Sequence, residues 1–406
     1  MPGTSGRHIL VLNAGSSSLK YAVFDVAKSL KRVVQGLAEG IGAPTQSCIK
    51  HQTGTGIART DPELPDHRQA LALVLDALDL RAIGAVGHRV VHGGEKFSHA
   101  TLINDNVLAE IDAASSLAPM HNPWNLLGIK SSQEIIGGPQ VAVFDTAFHQ
   151  TMQPHAYLYA LPYNLYEKHG IRKYGFHGTS YLYVLGEVAK ELGRPVEELN
   201  VILCHLGSGA SMCAVQAGKC IDTTMGLTPL EGLVMGTRSG DLDPAILLHL
   251  MELGYSRKDI VDLLNKQAGL LGLCGLSDNR DVEAGYAKHE PQARLAKAIQ
   301  VYRTRKYLGA YIVALEGRVD ALVFTGGIGE NSSLHRALVC KGLQRLGINL
   351  DEAANAAAQA KSGDRGNVRL DRRGEQGDQG TQIWLIPTDE ELSIAQQTAL
   401  LTGFGE

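Results

Sequence analysis

The chain contains a strand–turn–strand unit twice, and this duplication constrains its fold more than any other sequence feature. In the first copy, a polar turn at 13–20 lies between the apolar runs 9–12 and 21–26. The second copy has its turn at 205–209, again between two short apolar runs. Apolar runs separated by Gly- and Ser-rich turns predict β-hairpins. The sequence therefore predicts an architecture built from two similar units.

Strand and helix patterns alternate along the rest of the chain. Buried strands are predicted at 85–91, 141–144, 321–324 and 383–386, and helices at 67–80, 245–251, 260–264 and 293–316. This alternation predicts an α/β fold. Because 406 residues exceed what one hydrophobic core usually organises, we expect two domains.

The charge balance excludes several classes of protein. Lysine and arginine number 38 against 42 for aspartate and glutamate, which gives a formal net charge of −4. A polybasic binder of nucleic acid or anionic membranes is therefore excluded, and we expect neither among the partners. The sequence contains no apolar run as long as a membrane span, and its first residues lack the apolar core of a signal peptide. We expect a cytoplasmic protein.

Three glycine-rich turns each follow an apolar strand, at 13–20, 205–209 and 326–331. Glycine lets backbone N–H groups approach anionic oxygens, while serine and lysine add donors and charge. Any one of these segments alone is typical of an ordinary hairpin turn, but the three together favour a polyphosphate ligand. A P-loop is excluded, because Gly218 and Lys219 are followed by Cys220 and the upstream glycine is missing.

Five motifs together resemble the acetate kinase family. They are NAGSSSLK at 13–20, GHRVVHGGE at 87–95, YGFHGTS at 174–180, GTRSGD at 236–241 and TGGIGEN at 325–331. They occur in family order, and the resemblance extends from about residue 9 to about residue 398. It implies reversible phosphoryl transfer from ATP to acetate, which gives acetyl phosphate and ADP.

The resemblance also implies the fold and the assembly. The expected fold is α/β, with two RNase-H-like domains of the actin-like ATPase type flanking a nucleotide cleft. We expect an N-terminal domain at 1–150, completed by a C-terminal helix at about 391–406, and a nucleotide-binding domain at 151–390. A homodimer is expected.

Two arginines lie in glycine-flanked segments that suit bidentate contacts with carboxylate or phosphoryl oxygens. The resemblance implies that Arg89 binds the acyl substrate and that Arg238 stabilises the transition state. It gives His177 a transition-state role and places His121 nearby in the active site. Surface salt bridges are the alternative for the arginines, because most arginines in proteins make only such contacts.

Asp145 follows the apolar run 141–144, so its carboxylate should emerge at the end of a strand, although a helix N-cap is an alternative. The family assigns proton transfer to the matching aspartate. Because acetate has no proton to lose at neutral pH, we expect Asp145 to position a metal or its water instead. The resemblance places Mg²⁺ at Asn13 and Glu390 and leaves Mn²⁺ open; a solvated Glu390 is the competing interpretation.

The remaining site residues follow from the resemblance alone. The residues implied for nucleotide binding are Ser16, Ser18, Lys20, His205, Leu206, Gly207, Ser208, Gly209, Asp278, Asn279, Arg280, Gly327, Ile328, Gly329, Glu330 and Asn331. The acyl pocket is implied at Val91, Met120, Phe176 and Pro229. Each of these four side chains is also typical of an ordinary core.

The chain departs from the family pattern at four positions. Ser208 replaces a common asparagine, Tyr181 a common histidine, Trp124 a common proline, and Asn279 a frequently hydrophobic residue. No charged catalytic position is lost. Two other functions remain open at this stage: a short-chain acyl kinase that prefers propionate, and an actin-like ATP switch without an acyl substrate.

Overall fold

The computed structural model describes residues 6–15, 17–43, 47–119, 121–358, 366–372 and 380–404. The chain forms two compact units. The first comprises Met1–Gln150, Gly178–Ser180 and Asp389–Glu406, and the second comprises Thr151–His177 and Tyr181–Thr388. Among the helices of the described ranges, none combines the length and apolar character that a bilayer crossing requires.

The first unit contains an eight-stranded sheet. Its strands are β1 (His8–Ala14), β2 (Ser18–Asp25), β3 (Lys31–Glu39), β4 (Cys48–Thr53), β5 (Gly56–Thr60), β6 (Ile83–Val90), β7 (Thr101–Leu102) and β8 (Gln140–Phe144). Their order is β5-β4-β3-β2-β1-β6-β8-β7. Strands β1 to β5 pair antiparallel, whereas β1, β6 and β8 are parallel.

The second unit contains a six-stranded sheet. Its strands are β9 (Val201–Leu206), β10 (Ala210–Gln216), β11 (Lys219–Thr223), β12 (Ala321–Thr325), β13 (Val368–Arg369) and β14 (Gln382–Leu385). Their order is β11-β10-β9-β12-β14-β13. Strand β9 pairs antiparallel with β10 and parallel with β12, as β1 does with β2 and β6. The two sheets therefore share one arrangement, β3-β2-β1-β6-β8 in the first and β11-β10-β9-β12-β14 in the second, which confirms the duplication.

The helices complete both units. They are α1 (His67–Asp76), α2 (Asp105–Ala113), α3 (Asn122–Ile135), α4 (Pro154–Tyr157), α5 (Tyr163–His169), α6 (Gly178–Leu192), α7 (Ala245–Glu252), α8 (Arg257–Asp262), α9 (Gly269–Cys274), α10 (Asn279–Ala287), α11 (Pro291–Ala314), α12 (Gly326–Asn331), α13 (Ser333–Cys340), α14 (Glu352–Ala357) and α15 (Glu390–Thr402).

The central strand β1 is buried on both faces: its alternate side chains point in opposite directions, and each set packs in a separate apolar cluster. Leu10 and Leu12 pack in the cluster that includes helix α1, whereas Ile9 and Val11 pack in the cluster that includes α15. Gly87 of β6 allows α15 to lie close, because a Cβ there would overlap Thr398. The strand that carries Arg89 is therefore held from both sides.

Two local predictions were wrong. Helix α1 ends at Asp76 rather than near residue 80, because Asp79 accepts from the Arg81 N–H and begins a separate 3₁₀ turn. The third glycine-rich segment is not a turn but the short helix α12. Its first glycine has φ of 75°, which suits glycine, and its N–H donates to Glu330 Oε1 at 3.1 Å.

Candidate active site

The first cluster of predicted residues centres on the Arg89–Asp145 ion pair. Arg89 lies in β6 beside the parallel strand β8, and Asp145 follows β8 directly. Arg89 Nη2 donates to Asp145 Oδ2 at 2.6 Å, and Nε lies 3.1 Å from both carboxylate oxygens. Thr179 Oγ1 also donates to Asp145, at 3.0 Å. The Asp145 side chain, 1% exposed, is thus neutralised by a bidentate arginine.

Asn13 and Glu390 lie at the other end of the Arg89 guanidinium. Arg89 Nη1 donates to Asn13 Oδ1 at 3.4 Å, and Glu390 Oε2 lies 4.0 Å from Nη1. Burial alone would lower the pKa of Arg89, but Asp145 and Glu390 raise it above its usual value. Burial raises the pKa of Glu390, and Arg89 opposes that shift. Arg89 is therefore a permanent cation between two carboxylates.

The oxygen atoms of this cluster supply part of the ligand set that a hard divalent cation requires. Asn13, Asp145 and Glu390 supply amide and carboxylate oxygens, which Mg²⁺ prefers. Within the described ranges, however, no group of three or more His, Cys, Asp or Glu side chains is arranged to hold a metal. A cation held here would need further oxygens from water or phosphate, as Mg²⁺ usually does.

The second cluster brings His177, His205, Ser211 and Arg238 together in the second unit. The rings of His177 and His205 stack with centroids 4.2 Å apart and planes inclined at 21°. His177 Nδ1 lies 2.8 Å from Ser211 Oγ. His177 itself has a φ of 61°, in the left-handed region that residues other than glycine rarely adopt.

Arg238 also lies beside Gly209 and has no carboxylate partner among the residues that the structure describes. Its Nη1 donates to the Pro229 carbonyl at 2.9 Å and contacts Met235 Sδ at 3.6 Å. Burial lowers the pKa of Arg238. A Cβ at Gly209 would lie 3.5 Å from His177 Nε2 and 3.6 Å from Arg238 Nη1. Gly209 therefore lies between two nitrogen donors.

A cavity of about 550 Å³ in the second unit gathers half of the predicted nucleotide residues. Its lining includes the predicted Gly207, Ser208, Asp278, Asn279, Arg280, Gly327, Ile328 and Asn331. Sequence reasoning missed five further lining residues, namely Gly236, Leu270, Ser277, Glu283 and Ser332. Gly236 is the first residue of the GTRSGD motif and Ser277 precedes Asp278. Their positions next to residues already predicted for the site could have identified these two.

The polar side chains around this cavity contact one another. Asp278 caps α10 and pairs with Arg280, whose Nη2 donates to its carboxylate at 2.6 Å. The Arg280 hydrogen bonds lower the pKa of Asp278 to about 2. The buried Lys297 Nζ donates to Glu283 at 2.7 Å and to Asn279 Oδ1 at 2.9 Å. Asn279 is thus part of an ionic network.

Several predicted nucleotide residues lie outside the lining of this cavity. Glu330 Oε1 accepts from the backbone N–H groups of Gly326 and Thr388, so its carboxylate supports α12. Leu206 is buried at the end of β9, and Gly329 is buried in α12. Lys20 and Ser18 lie in β2 of the first unit, where Lys20 pairs in register with Asn13. Ser16 lies outside the described residues.

The predicted acyl-pocket residues are divided between the two units. Val91 follows β6 in the first unit, and its N–H donates to Asn125 Oδ1 at 3.1 Å. Phe176 and Pro229 belong to the second unit, where Phe176 is buried. Met120 lies outside the described residues. His121 is the residue that precedes α3, in the first unit.

Comparison with known proteins identifies the family. A family model described as the acetokinase family matches residues 8–396. The acetate kinase of Halothermothrix orenii is 49% identical over 405 residues, which cover 96% of this chain and 98% of the relative. The acetate kinase of Thermotoga maritima is 48% identical over 408 residues, which cover 96% and 97%.

Solved structures agree. A propionate kinase from Francisella tularensis superposes with a TM-score of 0.89 at 43% identity, covering 97% of this chain and 99% of that one. An acetate kinase from Porphyromonas gingivalis also gives a TM-score of 0.89, at 40% identity and with 98% and 100% covered. The predicted α/β fold of the actin-like ATPase type is confirmed. The chain belongs to the acetokinase family.

Proposed function

We propose that this chain is an acetate kinase, which transfers the γ-phosphoryl group of ATP reversibly to acetate. The roles proposed below depend mainly on the surroundings of Arg238. Its guanidinium is partly buried, lies near His177 and has no carboxylate partner among the described residues. A buried cation without a counter-charge costs free energy, which an anionic ligand can offset. Arg238 is therefore arranged to receive an anion.

The transferring phosphoryl group is the anion that this point suits best. In phosphoryl transfer, negative charge spreads over three equatorial oxygens, and catalysis consists mainly of positioning and electrostatic stabilisation. Arg238 would contact these oxygens through its guanidinium, and His177 would donate a hydrogen bond from Nε2. Both groups flank Gly209, whose lack of a side chain leaves the space between them open.

The Arg89 cluster would serve acetate and the metal. Asp145 occupies the Nε and Nη2 edge of Arg89, while Nη1 has only longer contacts and would orient the acetate carboxylate. Asn13, Glu390 and Asp145 would hold Mg²⁺ through water and phosphate oxygens, with Mn²⁺ as the alternative ion. When bound, the divalent metal supplies charge neutralisation for the phosphates.

The cavity of the second unit would hold the nucleotide. Gly327, in the first turn of α12, offers a backbone N–H group without side-chain obstruction, which suits phosphate oxygens, whereas the Gly207 N–H donates to the Gly209 carbonyl at 3.1 Å. Ser208 adds a hydroxyl where the family commonly has an amide. We propose that Asp278, Asn279 and Arg280 contact the nucleoside.

A hydroxamate assay with acetate, ATP and Mg²⁺ tests this function. We expect acetyl phosphate from the wild type, and about a 10³-fold lower rate from Arg238→Ala. Arg318→Ala is the matched control, because Arg318 is an exposed arginine of the same unit, and we expect wild-type activity from it. Absence of acyl phosphate above background in the wild type would refute the proposal.

A propionate kinase is the second candidate, favoured by the Francisella tularensis structure. The two activities share every charged residue discussed above and differ in the acyl pocket proposed at Val91, Met120, Phe176 and Pro229. One methylene changes discrimination by about 1–3 kcal/mol in such pockets. Comparison of kcat/KM for acetate, propionate and butyrate decides between them, and we expect acetate to give the highest value.

We also propose a homodimer in which a second copy covers an apolar surface of α7 and α8. Helix α7 has no buried residue, yet it exposes Ile246, Leu248 and Met251, and Leu253 and Val261 extend the surface. Leu248 is 65% exposed. Apolar surface of this extent commonly marks a protein interface. Analytical ultracentrifugation should give a dimer for the wild type and a monomer for Leu248→Glu; a monomeric wild type would contradict the proposal.

A further inference from the structure

Tyr181, Ser211 and His177 form a chain of hydrogen-bonding groups in the second unit. The Tyr181 hydroxyl lies 2.5 Å from Ser211 Oγ, and Ser211 Oγ lies 2.8 Å from His177 Nδ1. Tyr181 comes from α6 and Ser211 from β10, and both side chains are inaccessible to solvent. We propose that Tyr181 acts through Ser211 as a positioning residue, which fixes the His177 ring so that Nε2 carries the proton. This role rests on the phosphoryl site proposed above.

The direction of the hydrogen bonds follows from the chemistry of the three groups. Either hydroxyl of the Tyr181–Ser211 pair can donate, and we assign the phenol as the donor because a phenol is a stronger hydrogen-bond acid than an aliphatic alcohol. When Ser211 Oγ accepts from the phenol, its own hydrogen points to His177 Nδ1. A ring nitrogen that accepts a hydrogen bond bears no proton, so the proton of the neutral imidazole lies on Nε2.

With its proton on Nε2, the His177 ring would donate toward the position proposed for the phosphoryl group. His177 Nε2 is the ring atom nearest the point where a Cβ at Gly209 would sit, and both Arg238 Nη atoms lie within 3.8 Å of that point. Arg238 already supplies a positive charge there. A neutral N–H donor beside it adds a hydrogen bond to the phosphoryl oxygens without the repulsion of a second adjacent cation.

Ring packing restrains the imidazole in the same orientation. His205 stacks on His177, and Tyr181 meets His205 edge-on, with centroids 6.4 Å apart and planes at 80°. Tyr181 therefore contacts the arrangement twice, through its hydroxyl and through its ring. The effect of the tyrosine hydroxyl can be isolated by substitution.

The decisive test is ¹⁵N NMR of the full-length protein, without substrate and with labelled histidine, because this readout does not depend on activity. The His177 signal is identified by its loss in His177→Gln. We expect a pyridine-like shift for Nδ1 and a pyrrole-like shift for Nε2, and a mixture of tautomers in Tyr181→Phe. A wild-type His177 with its proton on Nδ1 would overturn the inference, whether or not the protein makes acetyl phosphate.

Kinetics provide the second readout. Tyr181→Phe should lower kcat about three- to tenfold, the effect of one hydrogen bond, and leave the KM values for acetate and ATP unchanged. Tyr181→His should restore most of kcat, because an imidazole N–H can replace the phenol as a donor. Unchanged kcat in Tyr181→Phe would overturn the inference. If that variant fails to fold by circular dichroism, Ser211→Ala is measured in the same two ways and decides the question.

Discussion

Arg89 in the first unit and Arg238 in the second differ in how their charge is balanced. Arg89 lies against Asp145 and Glu390, which raise its pKa, whereas Arg238 lies against a carbonyl oxygen and a thioether, and burial lowers its pKa. A compensated cation contributes to the stability of its surroundings, while an uncompensated one keeps its charge available for a ligand. Arg89 therefore combines structural support with its proposed contact to acetate, whereas Arg238 is placed for anion binding alone.

The largest expected effect is on catalysis at Arg238. Arg238→Met should lower kcat about 10³-fold, because it removes the proposed contact with the transferring phosphoryl group. The melting temperature should stay the same or rise, since the variant also removes an unpaired cation. Steady-state kinetics and thermal unfolding without ligand measure the two effects. A large fall in melting temperature would contradict the contrast with Arg89.

Arg89→Met should act strongly on stability, in addition to removing the proposed contact with acetate. The substitution leaves Asp145 buried without its partner, and we expect a loss of about 3 kcal/mol in the free energy of unfolding. Urea unfolding followed by circular dichroism measures it. As a control, Arg89→Met combined with Asp145→Asn should recover part of the loss, because the buried charge is gone. Equal stability of Arg89→Met and wild type would show that the pair contributes nothing.

The smallest of the three expected effects is the change in stability on replacing Glu390. Because the pKa of this carboxyl is raised in the folded protein, its contribution favours folding at low pH and is lost as pH rises through the folded-state pKa. Glu390→Gln has no such titration, so relative to wild type it should be more stable near neutral pH by about 1 kcal/mol. Thermal unfolding from acidic to neutral pH gives the comparison. A constant difference at every pH would contradict it.

The sequence predicted the strands that are buried on both faces. The continuous apolar runs of β9 and β12 were recognised because every side chain in them is buried. Strands β3, β4 and β5 were missed, because charged residues interrupt them and β5 is exposed throughout. The predicted domain boundaries at residues 150 and 390 stay predictions.

Site residues that belong to one sequence motif could be predicted. Contacts between residues far apart in the sequence could not, because only the fold brings them together. The residue pattern identified the glycine-rich segments, and the resemblance supplied most of the cavity lining. The network of Lys297 with Asn279 and Glu283 could not be predicted, because Lys297 lies in α11 and its two partners lie in α10, and nothing in the sequence indicates that the two helices meet there. The link between Tyr181 and Ser211 spans 30 residues and was likewise invisible.

The left-handed backbone conformation of His177 lowers the stability of the fold at a residue that the proposed reaction requires. A side chain in this region costs about 1 kcal/mol, which glycine would not incur. The contacts of the imidazole with Ser211 and His205 offset part of this cost. His177→Gly would therefore relax the backbone but abolish both contacts and the proposed donor to the phosphoryl group.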